Sequence, residues 1–447
     1  MRQRLDRLRA LAQADHGDNL SMSHRGKSAE KLKYSIMMGL AALVLLSGFL
    51  FDSPQAIWEG LGRIAVSPST LLSDYLAIGV PGAAILNSGI MMLICLVIAR
   101  KQKAVLNGPQ LASVIMVGGF SLFGKNPFNA FPIMLGVYFH ARWRKERFAN
   151  FLLYAFFGLA LTPLISHIAF GLGWPLYCSI PLAFAVGLLT GFALPVLARH
   201  CAAFHQGYSL YNMGFTCGVW GTVMMALLRI FSLGNEQVVR FPLTGYETPL
   251  LIWVLSLILL MALIGWLLSP ALKETLIKIM REPGRLSGDF VSRFGIGPVL
   301  FNMALLGLMA TGYVFLSGGR LNGPTLGAIL SAMSFGGFGK HPRNVWPILL
   351  GAQIMARLGI YSAASDAIVI AALFGTNLAP IPGSFGWPAG ILAGFIHVAV
   401  SSNLSYLHGY ANLYNNGFAG GILAGTLAPL LIAISQKDKK SVNLELE

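Results

Sequence analysis

The sequence predicts an all-α polytopic membrane protein with about ten transmembrane helices and two re-entrant hairpins, arranged as two inverted-topology repeats. Composition gives the class: of 447 residues, 55% are hydrophobic and 11% charged, against roughly 25% charged in soluble globular chains. Apolar runs such as 35–51, 249–268 and 413–434 approach the roughly 20 residues needed to cross a bilayer. Long apolar runs, with no alternating ten-residue segments, exclude a membrane β-barrel. The repeats come from an internal duplication. Residues 106–136 and 321–351 align without gaps at an offset of 215, with 15 identities in 31 positions. His205 and LYNMGF (210–215) match His408 and LYNNGF (413–418) at an offset of 203.

In chain order, residues 1–34 read as a basic cytoplasmic tail. Leu5, Leu8 and Leu11 recur at helical spacing among Arg2, Arg4, Arg7 and Arg9, as in a helix lying on anionic lipid. The first repeat covers 35–240, with spans at 35–51, 81–99, 149–167, 176–198 and 210–228. The second covers 241–434, with 249–268, 297–316, 363–381, 386–402 and 413–434. Residues 435–447 form a cytoplasmic C-terminal tail. The formal charge of +15 lies in short loops beside apolar runs, so it follows the positive-inside rule and not nucleic-acid binding. Ten spans put Arg100–Lys103, Arg142–Arg147, Lys273–Arg293 and Lys437–Lys440 on the cytoplasmic side, in the inner (plasma) membrane of a bacterium. Five spans per repeat, an odd number, invert one repeat against the other. Seven basic residues flank the first copy of the motif and two, Arg320 and Arg357, the second. That asymmetry fits opposite faces.

The motif lies between the second and third spans of the chain and again between the seventh and eighth, as hairpins 106–141 and 321–356. Each arm has about 15 residues, roughly 22 Å of helix, short for a hydrocarbon core of about 30 Å. Gly124 and Gly339 suit a bend, and Pro127 and Pro342 the first turn of the following helix. A lysine at such depth is a functional-site hypothesis by default. Beside a helix N-terminus, it favours an anion or a strong acceptor oxygen. The substrate-binding candidates are Lys125, Asn126, Asn129, Lys340, His341 and Asn344, with the two ammonium groups meeting near the midplane. Snorkelling or carbonyl binding at a helix end is the structural alternative. His205, Asn212, His408 and Asn415 are secondary pathway candidates. Asn212 and Asn415 are placed to cap the helices they open, with the two histidines near an interface. Asp366 sits at the end of a span or pairs with a lysine. Cys95, Cys178, Cys201 and Cys217 lack metal spacing and read as small buried hydrophobes.

This arrangement of five spans and one re-entrant hairpin per half resembles the urea transporter family. Lys125-Asn126-Pro127 looks like its Asn-Pro apex, Gly207-Tyr208…Tyr211-Asn212 like its helix start, and residues 298–312 (PVLFNMALLGLMATG) like its Pro-Phe-Asn-Met-Ala span. The resemblance implies a homo-oligomer, trimer or dimer, with a pore in each subunit. Lysines before both hairpin prolines depart from that family and suit an anion better than neutral urea. The chain is also similar to uncharacterised bacterial membrane proteins carrying a domain-of-unknown-function label.

The expected function is a channel or transporter for a small polar or anionic solute, with the lipid bilayer as its other partner. A lipid-phosphate flippase or lipid-binding protein is the alternative. An intramembrane enzyme is a further one, disfavoured because no HExxH, GxSxG or paired intramembrane acids occur. No P-loop is present, and the few acids point to passive flow. No metal, cofactor or catalytic residue is expected.

Overall fold

The computed structural model describes residues 8–9, 24–234 and 245–444. Among them every regular element is helical, and nine helices are long and apolar enough to cross a membrane. The protein is thus an all-helical, multi-pass membrane protein. Large apolar side chains on the spans point outward, including Leu46, Leu189, Ile252 and Leu259, as contact with lipid requires.

In the first half α1 (His24–Ser47) leads to the short α2 (Pro54–Ala65) and then α3 (Pro81–Lys101). Helices α4 (Gly108–Phe120) and α5 (Pro127–Trp143) form the hairpin. A composite helix α6 (Phe148–Gly171) precedes α7 (Leu176–His205) and α8 (Asn212–Ile230). The second half repeats the order: α9 (Glu247–Leu267), α10 (Leu272–Ile279), α11 (Ile296–Leu316), α12 (Gly323–Ser334), α13 (Pro342–Leu358), α14 (Asp366–Leu378), α15 (Trp387–Leu404) and α16 (Asn415–Leu444).

Local sequence fixes the hairpin helices. Asn107 caps α4, accepting from the Gln110 amide, and Asn322 caps α12 through the Thr325 amide. A proline follows in the first turn of each, where its missing N–H costs nothing. Equivalent helices α4 and α12 pack antiparallel along their whole length. A Cβ on Gly108 would lie 2.1 Å from the Gly337 carbonyl oxygen, and one on Gly323 would lie 2.3 Å from that of Leu122. Only glycine permits this approach. The tip of each hairpin therefore reaches the level at which the other begins.

Several boundaries differ from those expected. The segment predicted as a span over 363–381 is α14, shorter than a span. It tightens into a 3-10 turn at Thr376–Leu378 and resumes as Pro380–Phe385. Pro380 and Pro382 supply no amide to continue the ladder. Its counterpart α6 is broken in the same region, by a 3-10 turn at Leu159–Leu161 and a π turn at His167–Gly171. The end of the N-terminal tail is already helical in α1, where Lys33 is 3% exposed and ion-paired to Glu30. The C-terminal tail continues α16 to Leu444. Cys178 is exposed, unlike the other three cysteines. Leu5 and Leu11 lie outside the described residues; Leu8 packs against the core.

Candidate functional site

Each hairpin tip is built by the same reciprocal cap. Asn126 and Asn129 exchange amide-to-side-chain hydrogen bonds of 2.9 and 3.1 Å. His341 and Asn344 do the same at 2.9 and 3.3 Å. The spare amide N–H groups of Asn129 and Asn344 donate to the Gly124 and Gly339 carbonyls. His341 Nε2 bonds the Glu282 carbonyl. Four of the six primary candidates thus hold the tip in shape. Asn87, from α3, donates to the Ser121 and Lys125 carbonyls at 2.7 and 2.8 Å. Asn302, its equivalent in α11, donates to Gly336 and Lys340 at 3.0 and 2.9 Å.

That scaffold leaves the lysine side chains as the projecting groups, and both are fully buried. Lys125 Nζ donates to Tyr414 Oη at 3.0 Å and lies 4.9 and 4.8 Å from the ring centres of Phe120 and Tyr414. Lys340 Nζ donates to Tyr211 Oη at 2.9 Å and Thr376 Oγ1 at 2.7 Å, over the Tyr211 and Phe335 rings. The ring faces present negative potential to the cation. The two ammonium groups take different hydroxyl partners. Phe374 packs on a ring of each set, 5.3 Å from Phe120 and 6.2 Å from Tyr211.

The partners are exchanged crosswise. The first-half lysine takes the second-half tyrosine, and the second-half lysine the first-half tyrosine. Asp74 accepts from the Gly323 amide opening α12, while its equivalent Asp289 accepts from the Gly108 amide opening α4. Leu413 packs on Gly124 and Leu210 on Gly339. Every one of these contacts joins one half to the other.

Three of the secondary candidates, His205, His408 and Asn415, are buried and Asn212 is half-buried, and all four sit in structural hydrogen bonds. His205 Nε2 donates to Asn212 Oδ1 at 2.9 Å, and Asn212 Nδ2 to the Ala198 carbonyl. His408, Asn415 and the Ser401 carbonyl repeat the set. Neither asparagine caps its helix; each ties the helix it opens to the preceding one. Both histidines have zero exposure, so they lie inside the protein and not at an interface. Asp366 accepts from Asn322 Nδ2.

Two cavities are lined by matching segments of the two halves. One, of about 250 Å³, is lined by Asn150, Leu153, Leu286, Tyr211, Asn212 and Tyr414, among others. The second, of about 470 Å³, includes Ser365, Ile368, Leu71, Asn415 and Asn416. Leu286/Leu71, Leu153/Ile370, Tyr154/Ala371 and Asn212/Asn415 are equivalent positions of the duplication. The first cavity is bounded by a packed set of rings: Phe120 lies against Tyr414 at 4.4 Å and Tyr211 against Phe335 at 4.4 Å.

Sequence reading passed over Tyr211, Tyr414, Thr376, Asn87, Asp74 and Asp289, and assigned no role to Asn302. The tyrosines lay inside the repeated LYNxGF block, and Asn302 inside the span 298–312 likened to urea transporters. The aspartates recur at the same offset of 215, a signal one residue long.

A family described as "Protein of unknown function (DUF1576)" matches residues 53–230 and 269–433, most of the chain. No curated protein and no solved structure matches.

Proposed function

Since the chain belongs to the DUF1576 family of unknown function, we propose from its geometry that it is a channel or transporter for a small polar or anionic solute. Its architecture is read as two inverted-topology repeats, each with five crossings and a re-entrant Gly-Lys-x-Pro hairpin. The antiparallel packing of α4 on α12 supports the inversion, because equivalent helices running in opposite directions are what a pseudo-twofold axis in the membrane plane produces. Irregular backbone at the hairpin tips is tolerated at depth because it is enclosed by protein.

The observation that carries the reading is the pair of cavities built from equivalent residues of the two halves. The first reaches the rings of Tyr211, Tyr414 and Phe335, the set that holds the two buried lysines. A duplicated entrance on each face, closed by side chains that rotamer changes can part, is the arrangement that alternating or gated access requires. Each lysine supplies N–H donors that a passing acceptor or anion can use in place of a tyrosine hydroxyl. The likeness to urea transporters adds small polar solutes to the class; the lysines add anions.

The test is uptake into proteoliposomes of urea, formate and nitrate. We expect flux of at least one, lost in Lys125→Met and in Lys340→Met proteins that remain folded. Undiminished flux in both variants would remove the lysines from the pathway. Absence of flux for every solute, with lipid scrambling in its place, would move the assignment to lipid transfer.

A further inference from the structure

The first half carries a third cavity, of about 660 Å³, at the ends of α3 and α5. It is lined by Lys101, Lys103, Arg142, Lys145, Arg147 and Glu146, with Gln102, Tyr138 and Phe148. Glu146 faces Arg144 at 3.6 Å. Arg147 donates to the Gln102 carbonyl at 3.4 Å, which ties the two loops together. Lys101, Lys103, Arg142 and Lys145 make no side-chain hydrogen bond or ion pair with a described residue. Four cations thus share one concave surface whose one acid, Glu146, faces Arg144.

The backbone under two of them is informative. Lys103 and Lys145 have φ of +54° and +57°, a region that side-chain-bearing residues enter at a cost. Both close the same helix-ending turn. The Lys103 amide donates to Arg100 and that of Ala104 to Ala99; the Lys145 amide donates to Arg142 and that of Glu146 to Ala141, all at 3.0 Å. Glycine is the usual residue at this position. The duplication supplies the comparison: the equivalent of Lys103 is Gly318, at φ +77°, with the same two bonds to Phe315 and Val314. The fold therefore accepts glycine there, and the first half keeps a lysine against backbone preference. Stabilisation of the helix C-terminus by a cation does not require the strained position, since Arg100, Lys101 and Arg142 already lie in the last turns.

Depth is set by aromatic side chains. Trp143 and Phe139 are exposed beside the cavity, and Tyr138 meets Phe148 edge-on at 5.5 Å. Such rings mark the headgroup level of a membrane protein. A basic pocket between helices at that level matches a lipid phosphate in charge and place.

We infer that this cavity is a binding site for an anionic phospholipid, with the Lys103 and Lys145 turns holding a headgroup that carries two phosphodiesters. The site is separate from the barrier of rings and does not depend on its function. The test is native mass spectrometry of the delipidated full chain in detergent, titrated with a tetra-acyl diphosphate lipid and with phosphatidylcholine. The diphosphate lipid should bind at least 10-fold more tightly. Lys103→Gly with Lys145→Gly, which relieves the backbone, should weaken it about 30-fold, from about five-fold per basic residue at a membrane surface, without lowering the lipid-free melting temperature. Lys101→Gln with Arg142→Gln should weaken it as much, and serves if the glycine pair does not fold. Equal binding of phosphatidylcholine, unchanged affinity in the variants, or displacement by micromolar inorganic phosphate would overturn the assignment.

Discussion

The crosswise lysine–tyrosine pairs should behave as coupled units that hold the two halves together, and a double-mutant cycle measures this. Lys125 has one hydroxyl partner, Tyr414, whereas Lys340 has two, Tyr211 and Thr376. A hydrogen bond to a charged group contributes about 1.5–3 kcal/mol. Tyr414→Phe leaves the buried Lys125 ammonium with ring faces alone, so the loss should lie near the top of that range. Tyr211→Phe leaves Thr376 in place, and the loss should lie near its bottom. In the Lys125→Met background the Tyr414 hydroxyl has lost that ammonium, so Tyr414→Phe should then be nearly neutral. The expected coupling for Lys125–Tyr414 is about 2 kcal/mol, read by reversible unfolding in mixed micelles followed by tryptophan fluorescence. Additivity within about 0.5 kcal/mol, or a larger loss for Tyr211→Phe than for Tyr414→Phe, would refute the view that these contacts carry inter-half stability.

Three further outcomes follow from the same geometry. Asn87→Ala and Asn302→Ala each strip two buried carbonyls of a donor, and each should destabilise by about 2–4 kcal/mol in the same unfolding assay. Gly191→Ala and Gly394→Ala would drive a methyl to 2.0 and 2.1 Å from the Ile133 and Ile348 carbonyls, lowering stability by about 1–3 kcal/mol. Gly62→Ala, with open space around it, should instead raise stability by about 0.5–1 kcal/mol; thermal melts of the three variants decide it. Cys178 is the one exposed cysteine and begins α7, across the membrane from the basic α3 and α5 ends in the inverted topology. An impermeant maleimide should therefore label one thiol per chain from outside, and labelling only in inverted vesicles would reverse the orientation.

Much of the site was legible because duplication writes it twice. The spacing of Gly, Lys, Pro and Asn placed both tips, and Pro127 and Pro342 do open the helices that follow them. What periodicity could not supply was the pairing between halves. An offset of 215 says that Asp74 and Asp289 are equivalent; it does not say that each bonds the other half's hairpin. The same gap made Asn212 and Asn415 read as caps. A cap is a local bond, whereas their partners, Ala198 and Ser401, sit one helix back. The break in α14 was missed because hydropathy averages over Thr376 and Pro380, which interrupt the ladder without interrupting the apolar run.

The exchange of segments also constrains how this chain could have arisen and how it can be cut. A single-copy ancestor would meet its own tyrosine and aspartate requirements only by lending them to a second molecule, so pairing precedes fusion. Severing the present polypeptide between α8 and α9 should yield two pieces that are each incomplete, neither durable by itself, and that regain their form on being made together.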